Sequence, residues 1–134
     1  MAENTLHTLA RLVGTWAIDG PGLSGTVTYT WMDGGGFLVQ QVDLVNATEV
    51  TKGVEYIGFD ARSGLLRSHY FGGDGAILEY VYELDGDDLT IWFGEPGSPA
   101  KFTGRFVDDG RRNSGAWVWP GGGYVSNMTR VEGR

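Results

Sequence analysis

The chain has 134 residues, no cysteine, and 17 acidic against 10 basic residues for a net charge of −7. That length suits one domain, 1–134, with a real core; the missing cysteines exclude disulfides and thiolate metal sites. The acidic balance disfavours nucleic acid and anionic lipid as partners, no segment is apolar enough for a membrane helix, and no leader pattern opens the chain, so a soluble, cytoplasmic protein is expected.

Residues 4–13 carry the one helical signal. Asn4 or Thr5 can cap, and Leu6, Leu9, Ala10 and Val13 recur at helical spacing, which predicts a short helix packed on the rest. From Gly14 to Val131 the period changes to two. Strand-like runs are predicted at 14–19, 23–32, 37–46, 54–60, 65–71, 76–84, 89–94, 101–107, 113–119 and 124–131. Turn chemistry separates them: glycine is 23 of the 134 residues, against a usual ~7 %, and clusters at Asp33-Gly34-Gly35-Gly36, Arg62-Ser63-Gly64, Gly72-Gly73-Asp74-Gly75, Asp85-Gly86-Asp87-Asp88, Asp108-Asp109-Gly110 and Gly121-Gly122-Gly123. These glycines match no phosphate-binding fingerprint, because they sit at hairpin tips and not between a strand and a helix. Turns at about eight- to twelve-residue intervals indicate an all-β barrel or sandwich, and without a crossover helix the sheet is an antiparallel meander.

Alternation splits each run into two faces. The more apolar set, taken as the interior, contains Val27, Tyr29 and Trp31; Leu38, Gln40, Val42 and Leu44; Val54, Tyr56 and Gly58; Leu66, Ser68 and Tyr70; Leu78, Tyr80, Tyr82 and Leu84; Leu89, Ile91 and Phe93; Phe102, Gly104 and Phe106; Ala116 and Val118; Tyr124, Ser126, Met128 and Arg130. This assignment turns all six tyrosines inward. With Gln40, Ser68, Ser126, Trp31 and Met128 they make a greasy wall with scattered hydrogen-bonding points, the character of a small-molecule site. The competing expectation is a core filled by those same rings. The inward set holds no carboxylate and no histidine, so it supports no metal site, no Ser-His-Asp triad and no paired-carboxylate glycosidase, and no cofactor is expected. Catalytic residues are not identifiable. An enzyme reading would have the cavity orient a substrate for cyclisation, isomerisation or hydration with an inward tyrosine as general acid.

On the opposite face, Trp92, Arg105 and Trp117 fall on successive strands as a candidate ladder, extended by Trp119. Such a patch would suit a homodimer contact, or be a stabilising ladder alone. If the face assignment is inverted in this third of the sheet, the tryptophans line the cavity instead.

Four ordered motifs, Leu12-Val13-Gly14-Thr15-Trp16, Gly34-Gly35-Gly36-Phe37-Leu38-Val39, Tyr56-Ile57-Gly58-Phe59-Asp60 and Met128-Thr129-Arg130, span most of the chain. In this set the sequence resembles the calycins, the superfamily of lipocalins and fatty-acid-binding proteins, and within them a group of small bacterial lipocalin-like domains with no settled activity. The resemblance implies one closed, antiparallel up-and-down barrel of about ten strands (14–131) behind a short helix, with Trp16 plugging one end and Arg130 stacked over it. It also implies a pocket inside the barrel, and the tyrosine-lined interior sets the expectation that this pocket binds a small, largely apolar, aromatic molecule. The Arg-x-Tyr pair by which fatty-acid-binding proteins hold a carboxylate is absent, since the chain reads Arg130-Val131-Glu132. The nitrobindins, haem-binding barrels with a similar Gly-Thr-Trp start, use a histidine in the C-terminal part of the barrel. None follows His69 here, and neither His69, assigned to the outer face, nor His7 on the helix supplies one.

Overall fold

In the computed structural model, which describes residues 5–131, the chain forms a closed ten-stranded antiparallel barrel capped by one short helix. The strands are β1 (Gly14–Gly20), β2 (Leu23–Trp31), β3 (Leu38–Asn46), β4 (Glu49–Asp60), β5 (Leu65–Gly72), β6 (Ile77–Asp85), β7 (Asp88–Phe93), β8 (Lys101–Val107), β9 (Arg112–Trp119) and β10 (Gly122–Arg130). Each pairs with its neighbours in sequence, and β1 closes on β10 with Trp16 opposite Arg130. Closure leaves no unpaired strand edge.

The helix is a 3₁₀ helix, Leu6–Leu12, shorter and tighter than the expected 4–13. Leu6, Leu9 and Leu12 recur every third residue, so a helix of three residues per turn aligns them on one face; Leu9 and Leu12 are fully buried and Leu6 packs on the core. At its start Thr8 Oγ1 accepts a hydrogen bond from the Thr5 amide at 3.1 Å; Asn4 lies outside the described residues. Arg11 ties the helix to the β6–β7 turn through Asp87 at 3.1 Å and stacks over Phe106 at 4.0 Å.

Two strands face the other way from the sequence expectation. Residues opposed across an antiparallel ladder share a face. Gln40 of β3 and Tyr70 of β5 both oppose Glu55, so Glu55 and Ile57 point inward, while Val54 and Tyr56 point outward. Tyr56 is half-exposed and packs edge-on to Phe71 on the outer wall. In β9, Trp117 lies between Phe102 and Tyr124, which turns Asn113, Trp117 and Trp119 inward and Ala116 and Val118 outward. The expected outer Trp92–Arg105–Trp117 ladder therefore does not form. Trp92 lies under the Lys101 ammonium at 5.0 Å, and Arg105 pairs with Asp88 at 2.8 Å. β4 also begins five residues before the predicted run, because a two-residue turn, with Ala47 at φ 55°, connects it to β3.

Candidate functional site

The barrel interior has a filled end and a hollow end. At the filled end the Trp16 indole N–H donates to the Leu12 carbonyl at 2.8 Å, and its ring packs on Phe106. The Arg130 guanidinium lies 4.2 Å from the indole ring and donates to the Val13 and Arg11 carbonyls, each at 2.7 Å. Burial, with Arg111 adding repulsion, lowers the Arg130 pKa from its usual value. Gly14 is required here: its φ is 129°, and a Cβ would sit 2.5 Å from the Arg130 guanidinium. The Gly-Thr-Trp start is thus a packing device for the arginine.

Beyond this plug lies a cavity of about 310 Å³, within the range of small-molecule sites. It reaches solvent at the end away from the helix, where Trp119 and Tyr124 stack edge-on at 5.9 Å and are partly exposed. One wall is aromatic: Tyr80 meets Trp117 edge-on at 5.7 Å, and Trp117 tilts against Phe102 at 5.6 Å. A Cβ at Gly115 would overlap the Phe102 ring, so that glycine is what lets the phenylalanine lie flat against β9.

The facing wall is polar and is centred on Glu55, which is 3 % exposed. Its carboxyl accepts from the Ser68 hydroxyl at 2.5 Å and the Tyr82 hydroxyl at 2.8 Å. Tyr29 lines the same space, and Gln40 donates to its hydroxyl at 2.9 Å. Burial raises the Glu55 pKa, and the bonds from Ser68 and Tyr82 oppose it; burial dominates. Burial, then the Glu55 charge, pushes the Tyr29 and Tyr80 phenols well up, and Tyr82 moves the same way.

Of the residues expected in the site, Tyr29, Gln40, Tyr70, Tyr80, Tyr82, Tyr124, Ser126 and Met128 line the cavity. Ser68 is fully buried behind Glu55. Trp31 packs at the helix end, 5.6 Å from the His7 ring. Tyr56 is on the outside and belongs to no cavity wall. Glu55 was missed, and Trp117 and Trp119 line the cavity as in the alternative, inverted face assignment for this part of the sheet. The expected absence of an inward carboxylate is overturned by Glu55, and the hairpin register carried the signal, since the inward Gln40 and Tyr70 both oppose it. His69 points outward, stacked on Phe71. Among the described residues no three His, Cys, Asp or Glu side chains converge as metal ligands.

No known family model matches the chain, and no curated protein matches it in sequence.

Proposed function

We propose that this chain is a calycin-type barrel that takes up one small, largely apolar, aromatic molecule in its cavity. The observation that carries this reading is the cavity itself, about 310 Å³ deep inside a barrel whose other end is plugged. Rings on one wall supply contact area, and the hydroxyls opposite supply orientation. The four sequence motifs support the superfamily: their Gly14, Trp16 and Arg130 meet at the plug, as the resemblance implies.

The test is titration with the neutral fluorophore N-phenyl-1-naphthylamine, followed by native mass spectrometry. The expected result is one probe per chain with enhanced probe emission. Ser126→Trp, which places an indole in the cavity, should abolish binding without unfolding the protein. Absence of probe uptake by the native chain, or equal uptake by Ser126→Trp, refutes the cavity reading and leaves a filled core.

An enzymatic reading also has a specific observation in its favour. Burial makes Tyr29, Tyr80 and Tyr82 poorer proton donors, whereas Glu55 is a carboxyl whose pKa is raised inside a sheltered cavity, the usual setting of a general acid. If the cavity turns over a substrate by isomerisation, cyclisation or hydration, Glu55 and not a tyrosine is the proton source.

A further inference from the structure

Glu55 is an acid placed where no cation answers it. The groups that face it are neutral: Tyr29 from β2, Gln40 from β3, Ser68 and Tyr70 from β5, Tyr80 and Tyr82 from β6. No lysine, arginine or histidine lines the cavity among the described residues. Arg130, the one inward guanidinium noted above, is committed to Trp16 and two carbonyls at the plugged end. Burying a carboxylate without a counter-ion is costly, which raises its pKa and favours the protonated form, whereas an adjacent cation favours the ionised one.

The rest of the wall suits such a cation. Tyr70, Tyr80, Trp117 and Tyr124 present aromatic surface to the same space, and ring faces attract ammonium groups, most of all when desolvated. Seventeen acidic residues and a net charge of −7 favour the approach of cations over anions. A neutral apolar ligand would use the rings but leave the carboxyl unengaged.

We propose that the cavity selects an organic cation, a small aromatic amine whose protonated nitrogen sits against Glu55 within the surrounding rings. This rests on the cavity reading and specifies the ligand class. Tyr82 and Ser68 hold the carboxyl oriented by one hydrogen bond to each oxygen, and each oxygen keeps a lone pair for the incoming N–H groups. On binding, the carboxyl loses its proton to solvent and the ammonium takes over as partner. Binding of the cation is therefore coupled to proton release and tightens as pH rises through the Glu55 titration.

The experiment compares tryptamine with indole-3-ethanol, which differ in a terminal ammonium against a hydroxyl, as competitors for N-phenyl-1-naphthylamine. The expected result is that the amine displaces the probe at about ten- to a hundredfold lower concentration than the alcohol, the factor a charge-assisted hydrogen bond provides. Glu55→Gln should bring that ratio to about one. Calorimetry of the native chain in two buffers of different ionisation enthalpy gives a readout independent of any variant: proton release with tryptamine and none with the alcohol. Probe uptake with equal displacement by both compounds, with no displacement by either, or with an amine preference that survives in Glu55→Gln, overturns the proposal and leaves the cavity intact. So does amine binding with no proton release at any pH. Failure of the probe itself to bind removes the cavity reading and this one with it.

Discussion

At the helix end of the barrel, the Trp16 indole and the Arg130 guanidinium spend their donors on Leu12, Val13 and Arg11 carbonyls at 2.7–2.8 Å, and Gly14 makes way for the arginine. In the hollow part, Tyr80 meets Trp117 edge-on, Tyr124 lies opposite Trp117 in the ladder, and the buried carboxyl of Glu55 has hydroxyl donors and, among the described residues, no counter-ion. Both ends use large aromatics and one charged group. The difference lies in what remains unpaired: the plug is filled, so it contributes stability, whereas the hollow part keeps volume and an acid with no cationic partner among the described residues, the features on which the proposed binding rests.

Breaking the plug should have the largest effect. Trp16→Ala removes a fully buried indole and should cost about 3–5 kcal/mol, the usual range for such a truncation, read as a shift of the urea midpoint. A fully stable Trp16→Ala protein would contradict the division between the ends. Arg130→Met loses the stacking contact and strands two carbonyls; for a part-buried group this should cost about 1–3 kcal/mol, again without weakening probe binding per folded molecule.

The hollow part should respond differently. Tyr82→Phe removes one donor from Glu55, should cost only about 1 kcal/mol of stability, and should raise the pH at which cation binding sets in, because the lost bond holds the Glu55 pKa down.

A pH series sharpens the same contrast. The Glu55 pKa is raised in the folded state from 4.5, so the folded chain binds more protons than the unfolded one above that pH. Its contribution is fully present below about 4.5 and is lost as pH rises through the folded value. The stability difference between native chain and Glu55→Gln should therefore move in favour of the glutamine variant with rising pH, a trend absent from the same comparison between the native chain and Arg130→Met. The smallest effect is expected from Tyr56→Phe. Its hydroxyl is on the outer wall, so stability should change by less than about 0.5 kcal/mol and probe affinity not at all, in contrast to the cavity tyrosines.

Much of this molecule is legible in its sequence. The turn clusters place nine of the ten strand starts within two residues of those in the structure, because hairpins need particular residues at their tips and those residues are conspicuous. β4 is the exception, since its turn uses Ala47 in place of glycine. The tyrosine belt was visible for β2, β5, β6 and β10, where one alternation set is clearly the more apolar. It was misread in β4 and β9, where both sets are mixed or both apolar: Val54 and Tyr56 against Glu55 and Ile57, Ala116 and Val118 against Trp117 and Trp119. Yet the information was present in the hairpins. A two-residue turn pairs Asn46 with Glu49 and Trp119 with Gly122, so even-numbered inward residues on one strand demand odd-numbered ones on the next.

The chain's own pattern therefore determined an all-β protein with its strands in order and its turns, which depend on local backbone chemistry and on period-two alternation; the pairing of Trp16 with Arg130 was implied by the motif resemblance. Strand pairing in the tertiary structure, and not the hydrophobic pattern of each strand, decided that a glutamate stands among the tyrosines and that two tryptophans face the cavity. Hydrophobicity ranks a carboxylate as outward, and only the ladder on both sides of a strand, acting together with barrel closure, can turn one inward against that ranking.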